Sequence, residues 1–305
     1  MIDVDAVAAG YSYVTLDVFT DTPFRGNPLA VFPDASGLDD SMMQLLAREM
    51  NYSETCFILP PDDPANDAQL RIFNRTAELP FAGHPTIGAA TVLADRFGAD
   101  RSALTIEVAS GVVRAAIGNG DGRTVGSASI VAPQPLMLGQ IFSASQLAAC
   151  LGLDTPDVLT SAHLPRVAST GVEFIFAELS ADALSRATPD RTAIEALRRT
   201  VVSPTGRASI YCYSRTGTVV RSRMFAPLEG TDEDPGTGSA SATLAAMLLD
   251  LDMGATLSLE IRQGEQMGRP CDISVDAWRD GSDICARLSG RCVKIFEGRF
   301  TAKGD

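Results

Sequence analysis

One stretch of this chain occurs twice. Glu78-Leu79-Pro80-Phe81-Ala82-Gly83-His84-Pro85 and Glu233-Asp234-Pro235-Gly236-Thr237-Gly238-Ser239-Ala240 lie about half the chain apart, and each runs on into an apolar helical segment. Aligned, they match Glu78 with Glu233, Pro80 with Pro235, Gly83 with Gly238, Thr86 with Ser241, Ala90 with Ala245, Leu93 with Leu248 and Asp95 with Asp250. A strand-like tripeptide of one pattern precedes each copy, Arg71-Ile72-Phe73 and Arg223-Met224-Phe225. Self-similarity at this scale reports architecture. Two similar domains are expected, each with its own buried helix.

The helices bring function into view. Pro85 stands in a first turn, where its missing N–H is no loss, and Ser239 has the chemistry of a capping residue. Both helices are apolar on nearly every side, which suits a helix surrounded by protein. A helix N-terminus offers unpaired N–H groups and partial positive charge. Two such ends could therefore clamp a carboxylate. The plainer alternative is that the glycines only close turns and that Glu233 and Asp234 only complement the helix dipole.

At 305 residues the chain fits two domains of about 150 residues. A net charge of −13 argues against nonspecific binding to nucleic acid or anionic membrane. Met1 to Tyr13 lacks a basic segment followed by an apolar core, and no apolar run approaches spanning length. A cytoplasmic location is expected. The six cysteines include no CxxC pair and read as small core residues. With only His84 and His163 as histidines, and no ligand spacing, no metal site is expected.

Strand patterns dominate from Val14 to Phe32, Thr55 to Phe73, Leu104 to Val131 and Leu257 to Phe296, with turns at Ser110-Gly111 and Gly118 to Gly122. Their meander spacing argues an α+β fold of two similar domains, each an antiparallel β-sheet wrapped around a central α-helix. The helices are expected at about His84 to Phe97 and Ser239 to Leu249. Ala132-Pro133-Gln134-Pro135 is the expected linker. The expected domains are 1–131 and 136–290, with 291–305 a strand that could return to the first.

The strings Asp17-Val18-Phe19-Thr20, Phe24 through Phe32, Asn51-Tyr52-Ser53-Glu54-Thr55 and Glu78 through Gly88 resemble the phenazine-biosynthesis isomerase (PhzF-like) family. So do Arg223-Met224-Phe225-Ala226-Pro227, Glu233 through Ala240, and Gln263-Gly264 with Met267-Gly268-Arg269-Pro270. The resemblance covers most of the chain. It implies the diaminopimelate-epimerase-like fold, with curled sheets and an active site between the domains, a homodimer, and no cofactor. In the thiol-dependent arm of that superfamily a cysteine pair flanks the two glycine turns. Neither turn here holds one, so a two-thiol racemase is not expected.

Carried over residue by residue, the resemblance implies Glu54, Asp234 and His84 as catalytic. Glu54 would move a proton between two carbons on one face of a small amino- or hydroxy-carboxylic acid, as in trans-2,3-dihydro-3-hydroxyanthranilate isomerisation. Gly83, Gly238 and Ser239 would bind the substrate with His84, and Asp234 would hold its amino group or assist the proton transfer. Asn27 could line the pocket or only make the turn before Pro28. Without the resemblance, Glu54 is a polar residue opening a strand and His84 could simply cap a helix. The facing of Cys56 stays open. Asn74-Arg75 departs from the family's usual Thr-Pro, and Arg75 could recruit an anion or point to solvent. A racemase or epimerase using Glu54 and Asp234, and a non-catalytic small-acid binder, remain the alternatives. His163 and Arg198-Arg199 read as structural.

Overall fold

The structure, a computed structural model, describes residues 10–98, 101–120, 126–203 and 205–301. The expected turn at Gly118 to Gly122 lies partly outside them, as does Val125. The chain divides into two compact units, Met1–Ile130 with Ser289–Asp305, and Val131–Leu288.

The first unit opens with β1 (Tyr11–Val18) and β2 (Asn27–Phe32), paired antiparallel. Helix α1 (Asp40–Met50) crosses over to β3 (Glu54–Leu59), which lies parallel to β2. Asp39 begins α1 by accepting the Met42 N–H, 2.7 Å. Then β4 (Ala68–Phe73) pairs antiparallel with β3, and the two-residue β5 (Glu78–Leu79) with β4. The central helix α2 (Gly83–Phe97) crosses over to β6 (Ala103–Val108), parallel to β4. The meander ends with β7 (Gly111–Asn119) and β8 (Gly126–Val131).

The second unit repeats this order after β9 (Met137–Ile141), α3 (Ala144–Cys150) and the short β10 (Val158–Leu159). Strand β11 (Arg166–Ser169) pairs antiparallel with β12 (Glu173–Leu179). Two helices, α4 (Ala181–Arg186) and α5 (Arg191–Arg198), cross over to β13 (Ile210–Thr216), parallel to β12. Next come β14 (Val219–Ala226), antiparallel to β13, and the short β15 (Thr231–Asp234). The central helix α6 (Gly238–Leu251) crosses over to β16 (Thr256–Gln263), parallel to β14. Last come β17 (Cys271–Asp280) and the long β18 (Asp283–Phe300), whose end pairs with β1 from Tyr11 opposite Phe300 to Val18 opposite Cys292.

Each unit is thus a mixed, mostly antiparallel sheet around one central helix, not the wholly antiparallel sheet expected from the meander spacing. Parallel pairings occur where a helix forms the connection, because parallel neighbours cannot be joined by a tight turn. Both central helices are buried through most of their length, from Gly83 to Leu93 and from Ala240 to Leu249. Their buried hydroxyls are satisfied one turn back. Thr86 Oγ1 donates to Ala82 O (2.8 Å) and its repeat partner Ser241 Oγ to Thr237 O (2.9 Å).

The repeat also explains the matched Arg-x-Phe and Glu. Arg71 grips Glu78 with two parallel bonds, Nε to Oε1 (2.7 Å) and Nη2 to Oε2 (2.6 Å), and lies over the Phe73 ring. Arg223 does the same to Glu233, at 2.8 and 2.9 Å, and lies over Phe225. Arg223 Nη1 also donates to Leu184 O and Ala187 O at the end of α4. Glu233 therefore binds an arginine rather than serving only the dipole of α6.

These twin pairs differ in burial, with side-chain exposures of 21% and 36% for Arg71 and Glu78 against 9% and 17% for Arg223 and Glu233. Removing one partner of a buried pair strands the other charge and costs about 3 kcal/mol or more, whereas an exposed pair contributes about 1 kcal/mol or less. Chemical denaturation should thus show Glu233→Gln clearly more destabilising than Glu78→Gln. Equal losses would mean that burial does not set the strength of the second clamp.

Candidate functional site

Glu54 is placed by the way α1 ends. Asn51 takes a left-handed conformation (φ 55°), its N–H bonds Ala47 O, and the chain reverses into Ser53 and β3. Side chains alternate along a strand, so Glu54 and Cys56 share a face. That face meets the start of α2, where Cys56 Sγ donates to Pro85 O (3.6 Å). Glu54 Oε2 lies 3.6 Å from His84 Nε2, and both atoms are shielded from solvent.

Asn27 sits behind the histidine. It is fully buried as the first residue of β2, and Gly26 delivers it there with φ +70°, where an added Cβ would strike Val18 O. Asp17 Oδ2 accepts the Phe24 N–H (2.6 Å) and holds the same loop. Ser53 Oγ donates to Asn27 Oδ1 (3.3 Å), and Asn27 Nδ2 lies 3.5 Å from His84 Nδ1. An amide nitrogen can only donate. With the amide in this orientation Nδ1 is the acceptor, and Nε2 is the ring nitrogen that faces Glu54.

In the second unit Asp234 ends β15 and is buried. Its Oδ2 accepts from Thr237 Oγ1 (2.6 Å). Gln263, the buried last residue of β16, donates from Nε2 to Asp234 O (2.7 Å) and Thr237 Oγ1 (2.9 Å), and its Oε1 accepts the Thr237 N–H (3.1 Å). Gly264 follows with φ +79°, where a Cβ would collide with Pro235 O and Arg269 O. Only glycine permits that approach.

Of the residues expected from the sequence, Asn27, Glu54 and His84 come together in the first unit, with Gly83 the first residue of α2. Asp234, Gly238 and Ser239 stand in the second unit at the turn into α6 and its first residues. Ser239 does not cap that helix. Thr237 holds the cap position without a side-chain capping bond, its hydroxyl instead donating to Asp234 Oδ2 and accepting from Gln263 Nε2. Neither central helix carries an acidic residue in its first turn. Ser53, Thr237 and Gln263 had no assigned role from sequence. Their signals were adjacency to Glu54 and membership of the Gln-Gly string.

Arg75 Nη1 donates to Asn51 O (3.3 Å), beside the loop that leads to Glu54. His163 has a structural place, its Nδ1 2.8 Å from Leu164 O and its Nε2 2.7 Å from the Tyr213 hydroxyl. Arg199 pairs with Glu195 at a helix end (3.4 Å). Among the described residues no group of three or more His, Cys, Asp or Glu is arranged to hold a metal ion. No helix there is long and apolar enough to cross a membrane.

All six cysteines are free thiols, five of them buried and Cys285 partly exposed. Burial, and then the charge of Glu54, pushes the Cys56 thiol well above its ordinary range. It stays protonated at neutral pH and is no base. A disulfide reagent at pH 8 should therefore modify Cys285 first and Cys56 only on unfolding. Rapid native labelling of Cys56, read by peptide mapping, would contradict this placement.

The model of the PhzC-PhzF family, phenazine biosynthesis-like proteins, matches residues 16–298. A trans-2,3-dihydro-3-hydroxyanthranilate isomerase of Pseudomonas aeruginosa is 36% identical, covering 95% of this chain and 99% of its own. An uncharacterised isomerase of Mesorhizobium japonicum is also 36% identical, covering 95% and 98%. A solved structure from Pseudomonas aeruginosa, described as a predicted epimerase, superposes with a TM-score of 0.81 at 32% identity, over 96% of this chain and 99% of that one. The chain therefore belongs to the PhzC-PhzF family of phenazine biosynthesis-like proteins, as an isomerase.

Proposed function

We propose that this isomerase moves a proton within a small amino- or hydroxy-carboxylic acid, without cofactor, and that Glu54 is its general acid and base. The observation that carries the reading is the shielded Glu54 carboxylate 3.6 Å from His84 Nε2, on a ring whose other nitrogen faces the Asn27 amide. The relative from Pseudomonas aeruginosa supports the substrate class by its name.

The chemistry follows from the groups. Glu54 takes a proton from a carbon whose electron pair can delocalise into an adjacent π system. It is then a carboxylic acid and returns that proton to another carbon on the same face. No atom or electron is gained or lost. A carboxyl away from bulk water can serve as base and then as acid without exchanging its proton in between. His84 Nε2–H orients the carboxylate or donates to a substrate oxygen. Asp234 takes the substrate's amino group, while the N–H groups at Gly83, Gly238 and Ser239 take its carboxylate, as helix N-termini do. The enzyme works as a cytoplasmic homodimer in this reading.

Deuterium uptake in heavy water, followed by NMR, tests it. The substrates are trans-2,3-dihydro-3-hydroxyanthranilate and a panel of α-amino acids. Wild type should rearrange or exchange one of them, and Glu54→Gln should lower the rate by about 10³-fold or more. Chelator treatment should leave the rate unchanged. Inversion at one carbon without migration of unsaturation would favour an epimerase using Glu54 and Asp234. Binding with neither rearrangement nor exchange would make the protein a binder and remove the role given to Glu54.

A further inference from the structure

The turn that carries Asp234 into α6 is held by a buried side chain from another strand. Gln263 is 1% exposed, and its amide makes three bonds to that turn. Their directions follow from the donor inventory. One Nε2 hydrogen goes to the Asp234 carbonyl and the other to Thr237 Oγ1. Thr237 Oγ1 thus accepts from Gln263, and its one proton goes to Asp234 Oδ2, 2.6 Å away. Gln263 Oε1 meanwhile takes the Thr237 backbone N–H, which otherwise opens the orphan N–H series of α6.

We infer that Gln263 and Thr237 are positioning residues that aim the Asp234 carboxylate, with a one-way hydrogen-bond relay running from Gln263 through the Thr237 hydroxyl to Asp234. The inference rests on the role proposed for Asp234. Gly264 supports it on independent grounds. At its φ of +79° a Cβ would strike Pro235 O and Arg269 O, so a glycine here lets the backbone next to Gln263 lie against the turn that carries Asp234. An apolar residue could fill the same space, but it would remove the donor to Asp234 O and Thr237 Oγ1 and the acceptor of the Thr237 N–H. A glutamate could fill it too. Its oxygen would replace the Nε2 donor, face the Asp234 carbonyl, and draw the Thr237 proton away from Asp234.

Four variants separate relay from scaffold: Gln263→Met, Gln263→Glu, Thr237→Val and Thr237→Ser. With the substrate that wild type turns over, kcat should fall roughly 10- to 100-fold in the first three, the size of one lost bond to a charged group. Thr237→Ser, which keeps the hydroxyl, should retain most of the rate. The pH profile of Gln263→Glu carries its own mark. Activity should recover as pH falls and the introduced carboxyl takes a proton, because it can then donate again. Thr237→Val and wild type lack that recovery. A loss of the same size in Thr237→Ser, or no recovery at low pH, would reduce Gln263 to packing.

Backbone amide exchange gives a readout that needs no substrate. Exchange at Thr237 should speed up at least tenfold in Gln263→Met, which removes its acceptor. It should change little in Thr237→Val, which keeps that acceptor. If wild type turns over nothing, the proposed function fails while the amide measurement still decides whether Gln263 holds the Thr237 turn. Unchanged exchange in Gln263→Met would overturn the positioning role of Gln263 whatever the enzyme does.

Discussion

The structure depends on holding two short strands, β5 and β15, against their sheets. Each is too short to be fixed by ladder bonds alone, yet each must deliver the chain to the start of a buried helix. A fork of parallel bonds from arginine to glutamate does this in both units, with the guanidinium lying over a phenylalanine ring of the same strand. The planar fork matters. A lysine would supply charge without fixing the carboxylate's orientation. Once β5 and β15 are fixed, the residues just beyond them, His84 in one unit and Thr237 with Ser239 in the other, have little freedom in where they emerge.

The repeat makes the asymmetry of the chemistry visible. Thr55 faces Phe73 across β3 and β4, and Ile210 faces Phe225 across β13 and β14. By that register Glu54 corresponds to Ser209, which is fully buried. By the alignment of the two turns, Leu79 corresponds to Asp234 and His84 to Ser239. Each unit keeps the scaffold and carries a different carboxylate at a different point of it. The glutamate beside a histidine belongs to the first unit and the buried aspartate to the second, so the repeat is one of scaffold and not of chemistry.

Much of this was legible because the repeat is a constraint on architecture rather than on local propensity. Matched turns and helices located both central helices, and strand alternation supplied most of the sheet. The Asp39-Asp40-Ser41 cluster marked the start of α1, with Leu45, Leu46 and Met50 along it, but the parallel pairing of β2 with β3 across that helix left no mark, because it depends on contacts distant in sequence. Asn27 could be read equally as a turn residue or a site residue. Only the register of β2, with Gly26 forcing the chain, places its amide against His84. Gln263 was harder still. A lone glutamine at a strand end has no period and no spacing to a partner, and its meaning lies wholly in the turn it touches.

The step from strand to chemistry is clearest at Glu54 and Cys56. Both point toward α2, two residues apart on one face of β3, and both are groups that could in principle move protons. They differ in depth. The Glu54 side chain keeps 18% of its surface exposed, while Cys56 is sealed under the Pro85 carbonyl with its thiol pushed far up by burial. A group sealed at that depth has no substrate to reach and no thiolate to offer. A group at the mouth of the same strand can meet a ligand and still be screened from bulk water. Position along β3, rather than intrinsic acidity, is what gives the proposed role to the glutamate and leaves the cysteine to packing.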